Sequence, residues 1–159
     1  MKKLQLLLFC LLANIFFGQT KFDNEKLMTV QDIFYNSTKQ NINSFMKDKG
    51  YTVGEVEPGD AEYGDAYNFK SEFTRVQIQY TPKGATSGVV MLYAGAMNNT
   101  FIEMKIKDAG YTFVEHANVI DGVDFTRKQW SKKGEKLSFV TYADANDKIG
   151  FLGFGEFQE

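Results

Sequence analysis

The chain has 159 residues, a formal net charge of −2 and a sequence pI of about 5.5, and that near-neutral balance argues against general nucleic-acid binding. Fifteen Phe and eight Tyr within a 43% apolar composition supply enough apolar area for a core. Only two prolines, Pro58 and Pro82, and no low-complexity run point to one compact unit without a linker.

The first segment reads as targeting rather than structure. Met1, Lys2 and Lys3 form a short positive start, and residues 4–17 a mostly apolar run interrupted by Gln5 and Asn14. That run is too short for a comfortable membrane span. Gly18 is the small residue expected at a cleavage site, so residues 1–18 read as a signal peptide and the mature chain starts near Gln19. A lipoprotein signal at Cys10 is the weaker alternative, because Phe9 before it is too large and the apolar run continues past it. Cleavage removes the only cysteine, so the exported chain has no disulfide, thiol nucleophile or thiolate ligand. It also has no further span, and the expected location is the periplasm or the medium.

In chain order, Val30, Ile33, Phe34, Ile42, Phe45 and Met46 recur at helical spacing, with Ser37 and Thr38 in the intermediate turn. This predicts one helix, capped by Thr29 or begun a turn earlier at Asn24, and ended by Gly50. Four strands follow, at 51–56, 66–71, 75–81 and 89–94. The third alternates cleanly, Val76, Ile78 and Tyr80 against Arg75, Gln77 and Gln79, as a half-buried strand does. Thr100 and Glu103 are spaced as a capping box for a second helix, which carries Ile102 and Ile106 and ends at Gly110. Strands are then expected at 111–117, 123–130, 136–142 and 148–154, the last two joined by residues 143–147.

The order helix, then four strands, therefore occurs twice, in repeats at about 24–95 and 98–157 of a single domain spanning 19–159. A nine-residue match underlines it: Lys47-Asp48-Lys49-Gly50-Tyr51-Thr52-Val53-Gly54-Glu55 returns sixty positions later as Lys107-Asp108-Ala109-Gly110-Tyr111-Thr112-Phe113-Val114-Glu115, with six identities. Strands joined by short turns are antiparallel. The expected fold is α+β: a tandem repeat of one helix and a four-stranded antiparallel sheet, in two layers with a pseudo-two-fold relation.

Chemistry-bearing motifs are sparse. There is no G-x-S-x-G elbow, no H-E-x-x-H and no P-loop, so no enzyme activity, cofactor or metal is expected. His116 is the one histidine and has no Cys or second His to share a metal. Glu55, Glu57, Asp60, Glu62 and Asp65 form an acidic stretch whose spacing fits no EF-hand loop and reads as a solvated connection. Arg127, Lys128, Lys132, Lys133 and Lys136 surround the single Trp130, a candidate binding cluster in which the indole anchors and the cations steer. Lysines in turns also need no partner, since turns face water and edge lysines block sheet aggregation.

Two tandem helix-plus-four-strand units, exported and without an evident active site, resemble the architecture of the beta-lactamase inhibitor protein family. The resemblance covers most of the mature chain in element order only, and the paired cysteines typical of those inhibitors are absent. It implies a concave sheet whose open face holds a partner protein. The expected function is an exported, non-enzymatic interaction protein presenting a sheet face to a protein or glycan. The alternative is a small-ligand carrier with Phe101, Phe113, Tyr142 and Phe151 lining a pocket between helices and sheet.

Mass spectrometry of the exported protein is expected to give a chain beginning near Gln19. A lipid-bearing chain beginning at Cys10 is the contrary result.

Overall fold

The computed structural model describes residues 20–120, 123–144 and 148–157; the expected signal peptide at 1–18 and most of the connection at 143–147 lie outside the described residues. The elements are α1 (Glu25–Asn36), α2 (Ile42–Asp48), β1 (Thr52–Glu57), β2 (Ala66–Lys70), β3 (Thr74–Tyr80), β4 (Thr86–Ala94), α3 (Met97–Asp108), β5 (Thr112–Ile120), β6 (Val123–Ser131), β7 (Ser138–Asp144) and β8 (Ile149–Gly155). The fold is α+β, with helices on one side of an antiparallel sheet.

The first helical stretch is two helices, not one. Asn24 is the N-cap: its side chain accepts from the backbone N–H groups of Lys26 and Leu27 at 3.1 and 3.2 Å. Thr29 lies inside α1. Ser37 then leaves the helix at ψ 149°, and its hydroxyl donates back to the Ile33 carbonyl at 2.5 Å. Thr38 N–H donates to the Asn41 side chain at 2.7 Å, and Asn41 N–H to the Thr38 hydroxyl at 3.3 Å. That reciprocal pair starts α2. Short polar side chains compete for backbone groups in this way, so the apolar spacing crosses the break without a continuous helix beneath it. In the second repeat α3 starts at Met97 without a side-chain cap, and Thr100 and Glu103 lie within it.

Both helical units end identically. Gly50 and Gly110 have φ of +84° and +88°. The Gly50 N–H bonds the Lys47 carbonyl and that of Gly110 the Lys107 carbonyl, both at 2.9 Å. Tyr51 and Tyr111 reach back to the carbonyls of Met46 and Ile106 at 3.0 and 3.3 Å. This is a left-handed helix stop followed by a strand, which accounts for the repeated Gly-Tyr-Thr.

The eight strands form one sheet in the order β1-β2-β3-β4-β8-β7-β6-β5. Each repeat contributes four strands, and the last strand of each meets the other at β4–β8, with Met91 opposite Leu152. Helix α1 lies over β4 and β8, α2 against β1, and α3 over β7 and β8. Period-two alternation sends Val76, Ile78, Val89, Met91, Phe139, Leu152 and Phe154 toward the helices, all at most 2% exposed. Ile42, Met46, Ile102 and Ile106, matched at the sixty-residue shift, are at most 1% exposed and meet this layer. Aromatic rings fill its centre: Phe154 lies 5.3 Å from Phe34 and 4.6 Å from Phe139.

A Cβ at Gly50 meets nothing within 4 Å, and one at Gly110 meets only the Lys132 Cε at 3.9 Å. Gly50→Ala and Gly110→Ala are therefore expected to lose the same stability, about 1 kcal/mol of backbone strain each. Gly150→Ala, whose Cβ falls 2.2 Å from the Tyr93 ring, should lose more. Chemical denaturation of the three variants measures this ordering.

Candidate functional site

The two faces of the sheet differ in chemistry. The face away from the helices carries Lys70, Arg75, Leu92, Phe151 and Tyr142 as successive register partners across β2, β3, β4, β8 and β7. Arg127 precedes Lys128, whose partner Thr141 precedes Tyr142, so Arg127 stands next in this row, opposite His116 of β5. A second row of pairs runs Asn68, Gln77, Val90, Gly153, Val140 and Gln129. Two concavities of 620 and 650 Å³ lie on this open face and share Gln77 and Val90. The first includes Arg127, Lys136 and Phe157 together with Glu62 and Glu156; the second includes Lys70, Arg75, Leu92 and Phe151 together with Glu55 and Glu57.

Chain residues 156–157 run onto this face. Glu156 N–H bonds the Ser87 carbonyl at 2.9 Å, and the Phe157 carbonyl accepts from the Gln129 side chain at 3.3 Å. The Phe157 ring covers Gly153, where a Cβ would stand 2.8 Å from it.

The basic cluster around Trp130 is divided by the strand alternation. Trp130 is 2% exposed, stacks 4.7 Å from Phe113 and donates its indole N–H to the Thr141 hydroxyl at 2.9 Å. That burial gives the indole a packing role. Lys128 shares that helix-side face and pairs with Glu103 at 2.7 Å. Lys132 is held by Glu135 at 3.2 Å and donates to Thr20 at 3.1 Å, tying the start of the described chain to the second repeat. Lys133 is exposed in the turn after β6. Arg127 and Lys136 alone of the cluster line the open-face concavity. Basic residues adjacent in sequence thus serve opposite faces.

The four aromatics proposed for a carrier pocket do not converge. Phe101 is 61% exposed on α3, Phe113 lies on Trp130, and Tyr142 and Phe151 pair on the open face.

Beneath α3 lies a polar network that the sequence did not reveal. Thr141 donates to Glu103 Oε1 at 2.8 Å, Asn99 donates to the same oxygen at 2.8 Å, and Lys128 binds Oε2. Trp130 feeds Thr141, and the Tyr93 hydroxyl donates to the Asn99 side-chain oxygen at 2.8 Å. Burial first, then the Glu103 charge, hold the Tyr93 phenol well above the ordinary tyrosine range. The network's groups partner one another, which anchors α3 to β6, β7 and β4. A Glu three residues after a Thr reads as a cap; only the packing of α3 turns it inward.

The acidic stretch shapes its own loop. Asp60 accepts from the N–H groups of Glu62 and Tyr63, both at 2.8 Å, and Asp65 accepts from Gly59 and pairs with Lys39 at 2.6 Å. Among the described residues no group of three or more His, Cys, Asp or Glu comes together to hold a metal ion. Likewise, no described helix is long and apolar enough to cross a membrane. No protein-family model matches the chain, and no curated protein or solved structure shows significant similarity to it.

Replacing Glu103 by Ala strands Lys128, Thr141 and Asn99 below α3 and is expected to cost about 3 kcal/mol. Glu103→Gln, which keeps an acceptor, should lose clearly less. Equal losses in thermal denaturation would contradict the network's role.

Proposed function

We propose that this chain is an exported, non-enzymatic interaction protein that presents the open face of its sheet to a protein or glycan partner. The observation that carries this is the asymmetry of the sheet. The helix face is sealed by a packed core and a satisfied polar network. The other face keeps Leu92, at 38% exposure, with Phe151 and Tyr142 among cations and amides over two adjoining concavities. Apolar groups left in water on a surface rimmed by polar ones are what protein and glycan interfaces have in common.

A carrier needs an enclosed apolar volume with a few convergent polar groups. Side chains at most 2% exposed occupy the layer between helices and sheet, and the open-face concavities are open to solvent. An enzyme needs titratable groups aimed at a shared reactive position. Glu103, held by Thr141, Asn99 and Lys128, is committed to the fold. Export rests on the positive start and apolar run of residues 1–17. The likeness to the beta-lactamase inhibitor proteins rests on element order and agrees with a sheet face as the working surface.

A photoreactive phenylalanine analogue placed at Leu92 is expected to give covalent adducts in the native envelope fraction. The same analogue at Phe101, exposed on the helix side, should give none. Adducts from Phe101 alone would move the interface to the helices and end the open-face proposal.

A further inference from the structure

We propose that the open face docks an extended acidic segment of a partner protein, taking carboxylates on Lys70 and Arg75 at one end and on Arg127 at the other, with an apolar side chain between them on Leu92, Phe151 and Tyr142. This rests on the open face being the binding surface and names the chemistry of its partner.

The first ground is an unfavourable pairing. Lys70 and Arg75 stand directly opposite each other on neighbouring strands, both exposed. Like charges in that position repel and cost stability. Neither makes an ion pair among the described residues. The cations that do are Lys39, Lys49, Lys105, Lys128 and Lys132, none of which lies in this row. Glu55 and Glu57 of the edge strand line the same concavity, but neither pairs with Lys70 or Arg75, and Glu57 is turned to Asn68, accepting its side-chain N–H at 2.8 Å. A carboxylate from outside converts the repulsive pair into an attractive one.

The second ground is Arg127. Its Nε is removed from solvent and has no hydrogen-bond partner among the described residues. A buried donor without an acceptor is costly, and a bidentate carboxylate is the acceptor that fits a guanidinium fork. Asp144, an acid near the stripe, accepts from the Tyr142 hydroxyl at 3.4 Å.

Spacing and hydrophobicity favour a peptide over a uniform polyanion. From β2 to β6 the row crosses five strand intervals, about 24 Å at the usual spacing, which about seven extended residues span. Its centre is apolar, so a ligand charged along its whole length would desolvate charge against Leu92 and Phe151. The chain's own residues 156–157 show what this face accepts: an extended segment with an aromatic ring on Gly153 and a carbonyl bound by Gln129.

The test uses a synthetic peptide of about nine residues with paired glutamates at each end and Leu and Phe between them. The comparison probes are its Gln counterpart and an oligogalacturonate of equal charge. Calorimetry with the whole protein is expected to show binding of the acidic peptide. That binding should weaken about tenfold or more in the Arg75→Gln, Arg127→Gln double variant, and also as salt is raised. Lys107→Gln, on the helix side, should leave it unchanged, with equal melting temperatures as the check on folding. The Gln peptide and the oligogalacturonate should bind about tenfold more weakly than the acidic peptide. Tighter binding of the oligogalacturonate, equal binding by the double variant, or no binding of the acidic peptide each overturns the proposal. If the peptide fails while Leu92 still crosslinks to a partner, the partner chemistry is wrong and the open-face reading stands. If both fail, that reading falls as well.

Discussion

The β4–β8 ladder is the constraint on which the molecule depends. Seven register pairs, from Gly88 opposite Gly155 to Ala94 opposite Ile149, fuse two four-stranded halves into one sheet. Without it, each half would expose an edge of unpaired backbone groups as well as part of its core. The seam brings backbone and rings unusually close. A Cβ at Gly155 would lie 2.4 Å from the Ser87 carbonyl, and Tyr93 lies where a Gly150 side chain would stand. Helix α1 lies on both seam strands, so the first repeat's helix also covers the second repeat's last strand. The repeats are thus halves of one core, since neither can bury its apolar layer alone.

From this seam the division of labour between faces follows. Strand alternation puts every second residue under the helices, where burial demands apolar groups or complete hydrogen bonding. That face accommodates a carboxylate only because Thr141, Asn99 and Lys128 meet Glu103. The opposite face is free of that demand. Among the described residues, Lys70, Arg75 and Arg127 stand there outside any ion pair, beside apolar side chains in water.

The sequence disclosed the parts governed by local rules. The alternation of Val76, Ile78 and Tyr80 marks a half-buried strand, and that strand is β3. Gly50 and Gly110 end helices in matching geometry because a left-handed stop suits glycine. Where two local rules compete, periodicity misleads: Ile33 and Ile42 share an apolar phase, yet Ser37, Thr38 and Asn41 divert the backbone between them. Properties set by pairing between distant strands were not legible. Trp130 with flanking lysines resembles an interface anchor until Phe113 stacks on it and Thr141 of β7 takes its indole N–H. The row from Lys70 to Arg127 exists only in the sheet's register; its one local trace is that Lys70 and Arg75 flank a tight turn, where the Ser71 N–H bonds the Thr74 carbonyl at 2.8 Å. That turn places their side chains opposite each other.

The most direct measurement of the account is native-state hydrogen exchange, followed strand by strand in low denaturant. If the β4–β8 seam makes one cooperative unit, the amides of both strands are the slowest to exchange, and they open together at the free energy of global unfolding. The contrary result is two separate openings, with β1–β4 exchanging while β5–β8 stay protected, or the reverse. That would make the repeats independent domains and the shared core a contact between them.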